Sequence, residues 1–266
     1  MAMSVISHWT HKPKGPLERY VREILWVRSG SARKQVLLPE TTLTLAFRQF
    51  GSVRLRNQVL PTATVSGLQQ RTRTVEHEAG SSLIIVRFTE LGAPAILHDR
   101  ADLLYNQTAS LDALLPQREI ARLHNKLADG PEVARQVLAV EDFLSNQLQG
   151  RNEISPQIEA AAEMIRSSEG RSSVAAIARR VGMSQSALER RFRAAVGASP
   201  KMLSRLVRLQ HVCRLWDARK SLTEIAFEAG YCDQPHLVRD FRLFTGTPPE
   251  EFFRSVSPRN LPTFYK

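Results

Sequence analysis

Two arginine pairs with the same spacing are the residues of this sequence best suited to chemistry, and that chemistry is molecular recognition. Arg190 and Arg193 in one segment correspond to Arg239 and Arg242 in another, 49 residues further along the chain. The planar guanidinium fork fits the O6 and N7 acceptors of guanine, and it also fits the oxygens of a phosphate. The repeated pairs therefore predict two contact points for a polyanionic partner.

The segments that carry these arginines are two copies of one unit. From Ser184 onward the copies align at an offset of 49, with matching pairs Leu188 and Leu237, Phe192 and Phe241, Gly197 and Gly246, and Pro200 and Pro249. Upstream of the turn the offset is 48, with matching pairs Ile177 and Ile225, and Gly182 and Gly230. The second copy therefore has one extra residue in its turn.

Each copy is predicted to form two short helices joined by a tight turn. In the first copy, apolar residues recur with helical spacing, Gly182 breaks the helix and Ser184 is a suitable N-cap for the next one. In the second copy, Ser221 and Glu224 have the spacing of a capping box, and Asp233 is the N-cap after the turn. This pattern is typical of a helix-turn-helix, and its repetition makes it specific. The predicted units span 172–195 and 221–244, joined by a linker helix over 200–219.

A helical repeat of 100° per residue separates a buried face from an exposed face in the second helix of each unit. The residues expected in the core of the motifs are Ile177, Leu188, Phe192, Ile225, Leu237 and Phe241. Helices that enter the major groove place their N-terminal residues at base edges. The residues expected there are Ser186, Glu189, Arg190, Gln234, His236 and Arg239. The residues expected at phosphates are Gln185, Arg193 and Arg242.

The charge of the chain agrees with a polyanionic partner. There are 37 lysines and arginines against 26 acidic residues, a net charge of +11. Residues 151–266 hold 19 basic and 12 acidic residues, a net charge of +7, and residues 1–150 hold 18 and 14, a net charge of +4. A basic domain binds nucleic acid because neutralised phosphates release their counterions. The same excess could also serve solubility alone.

The N-terminal and C-terminal parts of the sequence differ in residue pattern, the first strand-like and the second helical, which predicts an α+β multidomain protein. Short segments rich in Val, Leu, Thr and Phe up to about residue 90 predict a small β-rich domain, barrel-like or cupin-like, and about 91–151 form a helical bridge. A polar stretch with Gly and Pro favours a boundary near residue 152, with a helix entering at Ser155 and Pro156. We therefore expect a β-rich domain with its helical extension over 1–151. An all-α domain with tandem helix-turn-helix units is expected over 152–266.

Motifs for other chemistry are missing from the sequence. No nucleophile elbow, phosphate-binding loop, zinc-protease motif or CxxC pair occurs, so we expect no catalytic residue, no metal site and no cofactor. His77, between two glutamates, is more typical of a surface strand than of a metal site. No segment approaches about 18 uninterrupted apolar residues, so no membrane span is expected. We expect a cytoplasmic protein.

The C-terminal part resembles the DNA-binding domain of AraC/XylS-type bacterial transcription regulators. The resemblance covers roughly 155–257 and is carried by IARRVGMSQSALERRFRAAVGASPKML and TEIAFEAGYCDQPHLVRDFRLFTGTPPEEFFR. It implies two helix-turn-helix units that enter successive major grooves. The segments PLERYVREILWVRSG, VLLPE and VRFTELGAPAIL resemble the N-terminal domain of one branch of this family, which implies a sensor or dimerisation domain. This chain has Glu40 and Thr41 where relatives often have Asp-Gly.

Double-stranded DNA is the expected partner. RNA polymerase, a small-molecule effector and a second copy of the chain are left open as further partners, as is the choice between activation and repression. Two alternatives remain: a constitutive architectural DNA-binding protein without an effector, and a cupin-like enzyme fused to a helical domain. The enzyme would need several convergent His and Glu ligands, and the β-rich region offers few.

Overall fold

The computed structural model describes residues 6–97, 101–130, 132–148 and 155–256. The expected domain boundary near residue 152 lies outside these described residues.

The N-terminal part consists of two antiparallel β-sheets. The strands are β1 (Ile6–His11), β2 (Val21–Ser29), β3 (Arg33–Leu37), β4 (Thr44–Phe50), β5 (Val53–Leu55), β6 (Gln58–Val59), β7 (Ala63–Ser66), β8 (Arg73–His77), β9 (Ser82–Phe88) and β10 (Thr108–Ser110). The first sheet has the order β1-β2-β9-β4-β7-β10 and the second has the order β3-β8-β5-β6. The expected β-rich N-terminal region is confirmed, and it consists of two antiparallel sheets.

The first sheet supplies most of the apolar core of this part. Leu45 and Phe47 of β4, and Ile84 and Val86 of β9, are fully buried. The second sheet meets the first through a smaller apolar cluster of Val53, Val75 and Leu83. The end of the second sheet is more polar, with Arg33, Glu76 and His77 close together there.

Helices pack against the face of the first sheet that is opposite to the second sheet. The α-helices are α1 (Gly92–Leu97), α2 (Gln117–Ala128) and α3 (Val133–Leu148), and 3-10 helices lie at Gly15–Arg19, Ala101–Leu104 and Leu111–Ala113. The ring of Phe143 on α3 packs edge-on against Phe47, with 5.9 Å between ring centroids. The expected helical extension is therefore anchored on the sheet by aromatic packing.

The C-terminal part is entirely helical. Its helices are α4 (Pro156–Ser167), α5 (Val174–Arg180), α6 (Gln185–Val196), α7 (Pro200–Leu215), α8 (Leu222–Glu228), α9 (Gln234–Thr245) and α10 (Pro249–Ser255). α4 begins after Ser155 as expected, but the Ser155 side chain makes no capping hydrogen bond. One continuous cluster of buried apolar residues extends from Leu17 in the N-terminal part to Phe252 in α10.

In the part of the chain that the structure describes, no helix is long and apolar enough to cross a membrane. The same described residues contain no group of three or more His, Cys, Asp or Glu side chains placed to hold a metal ion.

His77 does not lie on the surface, contrary to expectation. It ends β8 and is only 8% exposed. Its Nε2 lies 3.1 Å from Oε1 of Gln35 on β3. The expectation was wrong because the two flanking glutamates face outward, and alternation along a strand sends the residue between them into the space between the sheets.

The buried imidazole makes stability depend on pH. Burial, and then the neighbouring Arg33 guanidinium, lower the pKa of His77 from 6.5 to about 4. The unfolded chain therefore takes up a proton below pH 6.5 that the folded chain refuses until about pH 4. We expect the free energy of unfolding to fall by up to about 3 kcal/mol across this window because of His77, at about 1.4 kcal/mol per pKa unit. Urea unfolding at pH 4.5–7.5 measures this, and His77→Asn removes this contribution whereas the exposed His8→Asn keeps it.

Candidate DNA-binding surface

The two predicted helix-turn-helix units have the same turn. In the first unit the N–H of Met183 donates to the carbonyl of Ala178 at 3.0 Å, and in the second the N–H of Tyr231 donates to the carbonyl of Ala226 at 2.9 Å. The glycines that precede these donors, Gly182 and Gly230, have φ of +67° and +78°. This left-handed backbone is what glycine adopts at low cost and other residues resist.

The extra residue of the second copy is Cys232. Met183 is followed directly by Ser184, the N-cap of α6, whereas Tyr231 and the N-cap Asp233 of α9 are separated by Cys232. Cys232 is exposed and its thiol is free. The insertion is therefore accommodated at the surface and leaves the helix packing of the second unit unchanged.

The N-caps predicted from the sequence are confirmed. The Oγ of Ser184 accepts a hydrogen bond from the N–H of Ala187 at 3.2 Å. The capping box of Ser221 and Glu224 is complete in both directions. The carboxylate of Asp233 accepts from the N–H of His236 at 2.7 Å. Each unit therefore starts its second helix at a defined residue, which fixes the rotation of that helix.

The rotation of α6 and α9 buries the expected apolar faces. All six residues expected in the core are at most 1% exposed: Ile177, Leu188, Phe192, Ile225, Leu237 and Phe241. Both helices end in a glycine in the left-handed region, Gly197 and Gly246. We call α6 and α9 the recognition helices below, because they correspond in every one of these features.

The opposite faces of the recognition helices are exposed to solvent. On α6 the exposed residues include Gln185, Ser186, Glu189, Arg190 and Arg193. On α9 they include Gln234, Pro235, Arg239 and Arg242. The structure thus places both arginine pairs on accessible surface, at the sixth and ninth positions of each helix.

His236 differs from the other residues expected at base edges. Its ring is half-buried and packs edge-on against the buried ring of Tyr231, with 5.1 Å between centroids. Gln234 is also partly engaged, because its Oε1 accepts a hydrogen bond from the hydroxyl of Thr223 at 3.0 Å. Tyr231 and Thr223 were missed from the sequence, since neither contact follows from helical spacing within α9.

An acidic residue fastens α9 to the linker helix α7. Asp240 is 6% exposed and accepts hydrogen bonds from Nε and Nη2 of Arg205 at 3.2 and 2.7 Å. Arg208 lies 3.9 Å from the same carboxylate and stacks over the ring of Tyr231. The signal in the sequence was an aspartate on the apolar face of α9, beside Phe241, and burial of that face requires a cationic partner for the carboxylate.

The N-terminal part contacts both recognition helices at their C-terminal ends. The 3-10 helix at Ala101–Leu104 packs against α6, and a Cβ added to Gly197 would lie 3.0 Å from the carbonyl oxygen of Ala101. The N–H of Thr72 donates to the carbonyl of Phe244 in the last turn of α9 at 2.8 Å. The N-terminal ends of both recognition helices, where base contacts are expected, remain exposed.

Arg193 lies close to this contact. It borders a cavity of about 360 Å3 together with Asp102 and Tyr105 of the N-terminal part and Ser199 after α6. Its exposure therefore depends on the position of the N-terminal part, unlike that of Arg190 one turn earlier.

Comparison with known proteins agrees with this geometry. Residues 177–255 match the model of a helix-turn-helix domain. The matched range begins within α5 and ends with α10, so the helix-turn-helix domain includes both recognition helices. In DNA-binding helix-turn-helix proteins the second helix of the motif lies in the major groove.

Two solved structures of low sequence identity align with this chain. ToxT from Vibrio cholerae matches with 11% identity and a TM-score of 0.47, covering 96% of this chain and 100% of that one. The C-terminal domain of AraT, a response regulator from Geobacillus stearothermophilus, matches with 20% identity and a TM-score of 0.37, covering 43% of this chain and 94% of that one. The sequence matches no curated protein at a significant level. Identities of this size transfer no ligand or residue role.

Proposed function

We propose that this chain is a bacterial transcription regulator that places its two recognition helices in successive major grooves of double-stranded DNA. The observation that carries the proposal is the equivalence of α6 and α9: each is capped at the same position, buries the same face and exposes arginine at matching positions. The helix α7 between the units has 16 residues, about 24 Å. This length is of the order of one DNA turn, about 34 Å, which is the spacing of successive major-groove segments on one side of the duplex.

The residue roles follow from position on each helix. Arg190 and Arg239 have no ion-pair partner among the described residues and are proposed to donate two hydrogen bonds to guanine. Ser186, Glu189 and Gln234 are proposed at neighbouring base edges. Gln185, Arg193 and Arg242 are proposed to hold phosphates, which position the helices without reading sequence.

The two recognition helices are proposed to read their half-sites by different chemistry. Pro235 occupies in α9 the position of Ser186 in α6, so α9 has no hydroxyl there. With His236 packed on Tyr231, base reading by α9 depends mainly on Arg239 and the amide nitrogen of Gln234, with His236 contributing the exposed edge of its ring.

The N-terminal part is proposed to control DNA binding. It touches the C-terminal ends of both recognition helices, so a shift of the N-terminal part changes their relative position. We propose residues 1–151 as a sensing or dimerisation domain and 152–266 as the DNA-binding domain. The protein is proposed to act in the cytoplasm without catalysing a reaction, with an effector, a second copy of the chain and RNA polymerase as candidate further partners.

We expect Arg239→Ala to weaken binding to the selected DNA site by about 1–3 kcal/mol and to relax base preference at one or two positions. The reason is that arginine to guanine is a bidentate, base-specific contact. Selection of bound sequences from a random DNA pool, followed by affinity measurements on the selected and on random DNA, checks this.

Arg254→Ala on α10 is the matched control, since it removes an exposed arginine outside the recognition helices. Equal weakening on selected and random DNA by Arg239→Ala would reassign Arg239 to a phosphate. A selection that yields no preferred sequence would contradict sequence-specific binding, and an inverted repeat would add dimerisation.

A further inference from the structure

The chain connects the two helix-turn-helix units through the linker helix α7. Helices α4 and α6 pack on α7 from the first unit, and α8 and α9 pack on it from the second unit. A further connection lies in the loop between α4 and α5, at residues 169–171, which we call the bridging loop. This loop belongs to the first unit, and it contacts both α7 and the turn of the second unit.

The bridging loop has a defined backbone. The N–H of Gly170 donates to the carbonyl of Ile165 at 2.8 Å, and the N–H of Arg171 donates to the carbonyl of Ser168 at 3.0 Å. Glu169 and Gly170 both have left-handed backbone, with φ of +51° and +77°. This conformation is uncommon for a residue other than glycine, and it persists only where the surrounding structure holds it. The loop is therefore a fixed part of the first unit.

The linker helix α7 contacts the bridging loop along one side. A Cβ added to Gly170 would lie 2.2 Å from the backbone oxygen of Ser204 and 3.1 Å from Cγ of Arg208. The backbone of the loop thus lies directly on α7. One turn further along α7, Nδ1 of His211 lies 2.9 Å from Oε1 of Glu169. Both the backbone and a side chain of the loop are therefore held by α7.

His211 also contacts the second unit. Burial lowers the pKa of its imidazole, and the charge of Glu169 and a hydrogen bond to the backbone of Glu228 act in the opposite direction. A backbone group that favours the protonated ring is an acceptor, so the carbonyl of Glu228 accepts from the ring. Glu228 is the last residue of α8. One side chain of α7 therefore contacts the bridging loop of the first unit and the end of α8 in the second.

Arg171 makes the direct contact with the turn of the second unit. A Cβ added to Gly230 would lie 2.5 Å from Cγ and 2.8 Å from Cδ of Arg171, so the aliphatic part of this side chain lies on the backbone of the turn. The guanidinium pairs with Glu169, with 3.1 Å between Nη2 and Oε2. In the first unit, a Cβ added to the equivalent Gly182 would meet no atom of the described residues within 4 Å. The contact is therefore specific to the second turn.

From these contacts we propose that the bridging loop determines the spacing of the two half-sites on DNA, because it fixes the position of α9 relative to α6. α9 begins at Gln234, shortly after Gly230, so a shift of that turn moves the end of α9 where base contacts are proposed. The N-terminal part contacts the opposite end of the same helix, at the carbonyl of Phe244. α9 is thus held near both ends.

The geometry of DNA makes such a fixed arrangement selective. Each added base pair moves the second half-site about 3.4 Å along the duplex and about 35° around it. Two recognition helices in a fixed arrangement can follow only one of these positions, so the spacer length becomes part of the recognised sequence. The inference rests on the proposed function, since it requires both recognition helices to bind one duplex.

DNA duplexes with different spacers test this inference on the full chain. Bound sequences are selected from a random pool, and affinity is measured on the selected site and on copies whose spacer is one base pair longer or shorter. We expect the unmodified protein to bind the altered spacers at least ten-fold more weakly. In Arg171→Ala this spacer penalty is expected to fall to three-fold or less, because the side-chain atoms that lie on Gly230 are removed.

Arg171→Gln separates packing from charge. Glutamine keeps Cβ, Cγ and Cδ but has no charge, so we expect Arg171→Gln to retain the spacer penalty within two-fold. A phosphate contact by Arg171 would instead make Arg171→Gln and Arg171→Ala weaken binding equally at every spacer length. That result would overturn the proposal.

The two turn glycines supply a matched pair of variants. Both have positive φ, so alanine strains the backbone of either turn, but only in Gly230→Ala does the new methyl group meet Arg171. We expect Gly230→Ala to lower affinity for the selected spacer at least five-fold and to reduce the spacer penalty. Gly182→Ala is expected to leave the spacer penalty within two-fold of that of the unmodified protein. Circular dichroism checks that each variant is folded.

The outcomes distinguish the inference from the function on which it rests. A spacer penalty that persists unchanged in Arg171→Ala would overturn the inference and leave the proposed function intact. Equal spacer penalties in Gly230→Ala and Gly182→Ala would also count against it. Absence of any spacer preference in the unmodified protein would contradict the binding of two half-sites, and the inference with it.

Discussion

Phe192→Ala is expected to lower the free energy of unfolding by about 3–5 kcal/mol. Phe192 is fully buried on α6, which packs against α4, α5 and α7. Truncation removes apolar contact and leaves a cavity that cannot collapse, because four helices with short connections hold its walls apart. Chemical unfolding of the full chain, followed by circular dichroism, measures the loss.

Arg191→Ala is the control for this prediction, since Arg191 is an exposed neighbour on the same helix and is expected to change stability by no more than about 0.5 kcal/mol. The repeat supplies a second check. Phe241 occupies the equivalent position in α9, is 1% exposed and packs on Phe252, so Phe241→Ala should cost a similar amount. Stability unchanged by Phe192→Ala would mean that the apolar face of α6 is not the one in the core.

Asp240→Ala is expected to destabilise the protein by about 3 kcal/mol, at the lower end of the range for breaking a buried ion pair. The substitution leaves Arg205 and Arg208 without their carboxylate, and their side chains are only 23% and 17% exposed. Most of the cost therefore comes from cations left without a partner in a poorly solvated position. We expect DNA affinity to fall as well, because Asp240 fastens α9 to α7 without facing the DNA.

The double substitution Arg205→Met and Asp240→Leu tests the cause of that loss. Replacing both partners by apolar side chains removes the stranded charge, so the double variant should be more stable than Asp240→Ala. Additive losses from the two positions would show that the pair is not coupled. Retained DNA affinity in a folded Asp240→Ala variant would contradict the positioning role.

The helix-turn-helix units could be predicted well because their signals are local. Ser184, the Ser221–Glu224 pair and Asp233 cap helices within a few residues of themselves, and helical spacing alone separates Phe192 from Arg190. Because the unit recurs at an offset of 49 residues, the sequence supports each of these helix assignments twice, once in each copy. The structure adds that the extra residue of the second turn is Cys232.

Most of the features that could not be predicted depend on contacts between residues far apart in the chain. His77 was expected at the surface, but pairing of β8 with β3 and β5 turns it inward and places it beside Arg33. His236 was expected at a base edge, and the structure adds that its half-buried ring packs against Tyr231 across the turn. The Arg205–Asp240 pair joins residues 35 positions apart, and helical spacing within one element does not indicate such a partner.

The residues alone were thus sufficient to determine two capped, amphipathic helix-turn-helix units with arginine on their exposed faces. Hydrogen-bonded caps and helical periodicity act over fewer than ten residues, and so they leave their pattern in the sequence. Only the tertiary structure decided which strands pair, where the N-terminal part touches both recognition helices, and that His77 is buried opposite Arg33. Those outcomes depend on the packing of surfaces from distant segments, and many strand orders and contacts are compatible with the same local pattern.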